Sequence, residues 1–201
     1  MEPYLQTTEF TTAASSLLTI IHHLKPEIRL SKEKEFEIWR ETVNLPTRGS
    51  SIYALANYAK KQGLKPKIVL EDRDYYFPDY RFYRYTKKDI REASFSSGLH
   101  QDKSKELGLE IEEKKITIDD IKKELQRGSI ILLRLNVKSI RDTKRNTSNY
   151  IVVYEHTNRT FQIVDPALGT LSIPEETLKE CFESLETKKH RDHRMIVFLN
   201  N

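Results

Sequence analysis

The sequence predicts an α+β domain in which a group of helices comes first and an antiparallel sheet follows. Three observations carry this. Residues 13 to 63 repeat apolar side chains at helical spacing in three blocks. From residue 129 onward, apolar residues run together or alternate in short stretches bounded by turn residues, the pattern of strands. No internal repeat, low-complexity tract or linker divides the 201 residues, so one domain spanning 1–201 is expected, burying roughly 70% of the surface its unfolded chain would expose.

The elements follow in order. Ala13, Ala14, Leu17, Leu18, Ile20, Ile21 and Leu24 fall within one arc of a helix, with His22 and His23 on the other side. A second helix runs from about Ser31 to Val43 and carries Phe36, Trp39 and Val43 at i, i+3 and i+7. A third opens at Ser50 or Ser51, turns Ile52, Leu55, Ala56 and Ala59 inward and stops at Gly63. Lys65 to Glu71 reads as a strand with Ile68 and Leu70 on one face. Asp74 to Lys88 is Tyr-rich and basic, an edge lying on the fold, and a weak helical pattern extends to about Leu107. Thr117 and Asp120 make a capping box for a helix that buries Ile118, Ile121 and Leu125 and ends at Gly128. Ser129 to Leu135 is a strand, followed by a polar, basic connection from Asn136 to Ser148. Asn149–Glu155 and Phe161–Val164 pair around a turn at His156 to Arg159, and Leu171 to Ile173 is a short strand. Pro174 opens a helix with Leu178, Cys181, Phe182 and Leu185 inward, and Met195 to Leu199 closes the sheet.

Composition removes several functions. The longest apolar runs are five residues, far short of the ~20 that cross a membrane. No secretory signal opens the chain, so a cytoplasmic protein is expected. One cysteine excludes a disulfide framework and multi-cysteine zinc sites. Six glycines, never closer than ten positions, exclude the Gly-rich phosphate fingerprints. A net charge of +4 suits an acidic partner but falls short of a nucleic-acid footprint. No cofactor and no metal is expected. His190 and His193 stand in a charged Lys-Lys-His-Arg-Asp-His-Arg run that reads as a solvated loop.

The stretch Gln6-Thr7-Thr8-Glu9-Phe10-Thr11-Thr12-Ala13-Ala14 places a Gln six residues ahead of the first turn of a buried helix. A helix N-terminus lowers the pKa of a thiol placed there, and an upstream Gln can donate to an oxyanion. Asn149-Tyr150-Ile151-Val152-Val153 opens a strand with a polar residue, and Asp165-Pro166 follows sixteen positions after Asn149. Together these stretches resemble the papain-like cysteine peptidases of family thirty-nine, the bacteriocin-leader peptidase-like branch. Their motifs are Gln, five residues, then Cys-Gly-Pro, and later His-aromatic-Val-Val with Asp-Pro. Leu125-Gln126-Arg127-Gly128 running into an apolar strand also resembles that family, and the likeness is imprecise only between about Asp74 and Glu113.

The resemblance implies a papain-like fold and assigns four positions. Gln6 matches the oxyanion Gln, Thr12 the nucleophile, Asn149 the general base and Asp165 the orienting acid, with Ala13 and Ala14 replacing Gly-Pro. A Thr hydroxyl is far less acidic than a thiol, and Asn takes no proton near neutral pH. Members of such a unit are not additive, so an inactive site is expected. No neighbour substitutes. His22 and His23 lie roughly 15 Å along the helix from Thr12, His156 is at the far end of its strand, and Cys181 reads as a core thiol. A free N-terminal amine at Thr12 would require cleavage before it. Bland roles stand beside these: Thr11 or Thr12 capping the first helix, Gln6 on the surface, Asp165 at a strand exit. The expected function is a catalytically inactive peptidase-like domain holding a peptide or protein tail in the former cleft. A residual hydrolase or acyltransferase and a structural or assembly subunit are the alternatives.

Overall fold

The computed structural model describes residues 1–73, 85–186 and 192–199. Among the described residues, helices α1 (Thr12–Leu24), α2 (Lys32–Thr42) and α3 (Ile52–Lys61) precede strand β1 (Pro66–Leu70). Helix α4 (Lys87–Glu106), strand β2 (Glu110–Glu113) and helix α5 (Ile118–Gln126) follow. Then come β3 (Ser129–Asn136), β4 (Ser148–Thr157), β5 (Thr160–Asp165), β6 (Gly169–Pro174), α6 (Glu175–Glu183) and β7 (Arg194–Leu199). The strands form one sheet in the order β2-β1-β7-β3-β4-β5-β6. It is antiparallel as expected except at one edge, where β1 and β2 run parallel because a helix crosses between them. The Tyr-rich stretch lies largely outside the described residues, as does His190.

Strand alternation sends side chains to two cores, one on each face of the sheet. Ile130, Leu132, Val152, Ile196 and Phe198 meet α1 and α3. Ile131, Leu133, Ile151, Val153 and Val197 meet α5 and α6. Strand β3 is therefore buried along its whole length, which explains its unbroken apolar run. The C-terminal helices cover the face that the N-terminal helices leave open.

Helix α1 departs from a one-sided amphipathic reading. Every residue from Thr12 to Ile21 is buried, because α2 and α3 cover what the sheet does not. Its polar side chains find partners accordingly: Ser16 Oγ donates to the Tyr150 carbonyl at 2.8 Å and Ser15 Oγ to the Tyr4 carbonyl at 2.8 Å. On α2 the buried face is Glu35, Ile38 and Thr42. Phe36 and Trp39 instead form an edge cluster with Phe10, the Phe10 and Trp39 rings 4.8 Å apart. The Thr117–Asp120 capping box forms in both directions. The β4–β5 turn is tighter than expected: Thr157 pairs with Thr160, and Asn158 and Arg159 take positive φ, as a two-residue hairpin requires. His156 belongs to the strand.

Candidate functional site

The segment ahead of α1 is organised by a buried carboxylate. Glu35 has no solvent exposure and accepts from the Tyr4 hydroxyl (3.1 Å), Thr7 N–H (2.9 Å), Thr7 hydroxyl (2.6 Å) and Thr11 hydroxyl (2.5 Å). Burial and the adjacent Glu35 charge push the Tyr4 phenol up to about 12, so it remains a donor. Thr11 stands at the N-cap of α1 but makes no side-chain cap bond, contrary to the capping role expected of it. Its hydroxyl is held instead in the rotamer that donates to the Glu35 carboxylate. The Thr12 hydroxyl reaches only the Glu9 carbonyl, at 3.4 Å. The first turn of α1 holds no acidic residue of its own and no side-chain cap; the negative charge at its positive end is the Glu35 carboxylate bonded to Thr11.

Backbone contacts dock this segment on the sheet. Gln6 N–H donates to the Pro166 carbonyl at 2.8 Å, which sets Gln6 beside the turn that follows Asp165. The Ser16–Tyr150 bond sets the second turn of α1 against the residue after Asn149. Gln6 thus lies against the turn that follows Asp165, and α1 meets β4 at the residue after Asn149. No hydrogen bond joins Thr12 to Asn149 among the described residues.

Asn149 and Asp165 are joined by a residue that sequence reasoning did not single out. Arg141, in the β3–β4 loop, binds Asp165 through Nε, 3.2 Å to Oδ1 and 2.9 Å to Oδ2. With the Asn149 amide oxygen turned toward it, Arg141 Nη1 donates to that oxygen at 2.9 Å, and the Asn149 amide donates to the Ser148 carbonyl at 3.0 Å. Asp165 is fully buried and also accepts from Ala167 N–H (2.8 Å) and Leu168 N–H (3.2 Å). A permanently charged guanidinium therefore satisfies the buried Asp165 carboxylate. The signal for it in the sequence was only the basic character of the loop. Gln6 Oε1 and Arg141 Nη2 are buried without a hydrogen-bond partner, a state native structures rarely leave in ordinary core positions. The corner supplies a fixed cation, an uncapped helix N-terminus and amide groups; no thiol and no imidazole is among its described residues.

The other titratable candidates are placed elsewhere. His156 Nε2 meets Glu175 Oε2 at 3.0 Å, at the far end of β4 from Asn149. Cys181 is buried, and burial pushes its thiol up to about 11. His193 corrects the solvated-loop expectation: it is buried, stacks on Phe182 at 3.7 Å, and binds Glu71 through Nδ1 at 3.1 Å and the Phe182 carbonyl through Nε2 at 2.9 Å. Glu71 also takes the His193 and Ile116 N–H groups, so this far partner removes the histidine from water. No cluster of potential metal ligands occurs among the described residues, and no described helix is long and apolar enough to cross a membrane.

Helices on both faces of a mostly antiparallel sheet, with α1 packed on β4, form the papain-like cysteine peptidase fold. Residues 1–193 match the family described as "Peptidase_C39 like family", and the chain belongs to it. Two solved structures are similar in fold. One is a double glycine motif protease from an AMS/PCAT transporter in complex with the leader peptide, 14% identical, with 99% of this chain and 92% of that chain covered at a TM-score of 0.50. The other is a Bacillus anthracis protein described as a C39-like peptidase, 11% identical, with 100% and 95% covered at a TM-score of 0.53. No curated protein matches the chain in sequence.

Proposed function

We propose that the chain is a catalytically inactive peptidase-like domain that holds an extended peptide or protein tail at the corner formed by Gln6, Thr12, Asn149 and Asp165. The observation that carries this reading is Arg141. A site that performs acyl transfer needs a base that gains and loses a proton, and a guanidinium does neither. Thr12 supplies a hydroxyl whose hydrogen bond runs back to Glu9, and Asn149 offers an amide where the family motif has an imidazole. What the corner retains is binding chemistry: the buried, unpartnered Gln6 Oε1 and the uncapped α1 N-terminus suit a peptide backbone. The protease of similar fold held with a leader peptide supports the same reading.

The test pairs turnover with binding. Peptide and ester substrates are expected to remain uncleaved, while extended peptides shift the backbone amide signals of Gln6, Asn149 and Ala167 in the NMR spectrum. Cleavage that disappears in a Thr12→Ala variant would overturn inactivity and establish a residual hydrolase.

A further inference from the structure

We propose that the partner held at this corner is acidic, and that the β3–β4 loop recognises it through Lys138, Lys144 and Arg145. The inference rests on the reading of the corner as a peptide-binding cleft and names the chemistry of its ligand. Residues 138–145 carry four cations and one carboxylate, Asp142. Only Arg141 among those cations is paired, with Asp165. Lys138, Lys144 and Arg145 are exposed and enter no ion pair among the described residues. Several cations beside other strands are paired, Lys67 with Glu110 and Glu112, Lys114 with Glu112 and Asp120, and Arg159 with Glu176; the β3–β4 loop instead gathers three unpaired ones within eight residues.

The loop is also held in shape. Asn136 Oδ1 accepts from Lys138 N–H and Thr147 N–H, both at 3.2 Å. Val137 N–H donates to the Thr147 carbonyl and Arg141 N–H to the Val137 carbonyl, each at 2.9 Å. Ser139 Oγ donates to Glu180 at 2.8 Å, which ties the loop to α6. Through Arg141 the loop is anchored on Asn149 and Asp165, and its three unpaired cations lie within four residues of that anchor. Two carboxylates, Asp142 and Glu180, stand on or beside the loop against its three exposed cations, so a net positive charge remains. A preorganised basic loop selects partners by charge complementarity and speeds their encounter.

The experiment pans a randomised short-peptide library against the wild-type chain and against a Lys138→Glu/Lys144→Glu/Arg145→Glu variant. The three side chains are exposed and unpaired, so the variant should fold, and a Gln version of the triple substitution provides a neutral control. The expected result is strong enrichment of Asp and Glu among peptides selected by the wild type. Those peptides should bind the Glu variant about tenfold more weakly or worse, as expected when three loop charges are reversed, and added salt should weaken the wild-type complex. Selected peptides without acidic enrichment, or acidic peptides indifferent to the substitutions, overturn the acidic partner and leave the cleft reading standing. A single-stranded oligonucleotide that displaces them at lower concentration also overturns it, making the loop a nucleic-acid surface. If no peptide is selected by any form, the cleft reading itself fails and the acidic partner with it.

Discussion

Replacing Thr12 by Cys together with Asn149 by His should not rebuild a reactive thiolate–imidazolium pair while Arg141 remains. Arg141 Nη1 stands 2.9 Å from the Asn149 oxygen, and its Nε 2.9 Å from Asp165 Oδ2. A guanidinium about 4 Å from an imidazole opposes its protonation by about 4 kcal/mol at an effective dielectric constant near 20, about three pKa units. Asp165 offsets part of this, but it is bound through a different nitrogen and is already the acceptor of the guanidinium. Adding Arg141→Gln removes the cation and frees Asp165 to receive the new imidazole N–H. The assay is iodoacetamide alkylation against pH, with peptide mapping to separate position 12 from Cys181, whose buried thiol, raised to about 11, serves as an unreactive internal control. With Arg141 present and no imidazolium formed, only the helix N-terminus acts on the introduced thiol, which should titrate within about a unit of the free value of about 8.5; in the triple variant it should titrate near 6. Measured from the free value, the ionised fraction at pH 6 rises from about 0.3% to about one half, and after the accompanying loss of nucleophilicity about a tenfold faster reaction remains. An acid-shifted profile in the double variant would refute the blocking role of Arg141. A free-thiol profile in the triple variant would refute the match of Asn149 to the histidine position.

Two further outcomes follow from buried carboxylates. Glu35→Ala leaves four donors of the N-terminal segment without their acceptor, and urea unfolding should show a loss of about 3 kcal/mol or more. Burial pushes the Glu71 carboxyl up, but the His193 ring and backbone N–H and the Ile116 N–H outweigh it and hold Glu71 below its ordinary 4.5. Its contribution is therefore complete above about pH 4.5 and lost as pH falls through the folded value. Glu71→Gln should lower the thermal unfolding midpoint at pH 7, with the gap to wild type closing as pH falls through the folded value; a constant gap would contradict this.

What the sequence made legible was local. The Thr117–Asp120 box, the Asn158–Arg159 turn and the apolar run of β3 each announce themselves within a few residues, because cap, turn and burial chemistry act over that range. The side chains that organise the corner did not. Arg141 looked like one cation in a polar connection, and its acceptor Asp165 is 24 residues away. Glu35 sits in a charged helix whose aromatic residues seemed the inward face, until donors 24 to 31 residues earlier made its burial tolerable. His193 became a buried residue only through Glu71, 122 positions before it. Strand β2, Glu-Ile-Glu-Glu, has no apolar pattern; it is a strand because Lys67 of β1 meets Glu110 and Glu112 across the parallel edge.

The position of β7 has a consequence for how this molecule comes into being. It is the last strand in chain order, yet it lies in the interior of the sheet, with β1 on one side and β3 on the other. Without residues 194–199 the sheet is two separate pieces, β2-β1 and β3 to β6, each with a raw edge facing the other. Assembly must therefore wait until residues 194–199 have been made, and the long-range closure that follows is the kind that makes folding slow. A chain cut short just before Arg194 would retain most of its helices and both half-sheets, and with them two unpaired edges open to any neighbouring strand.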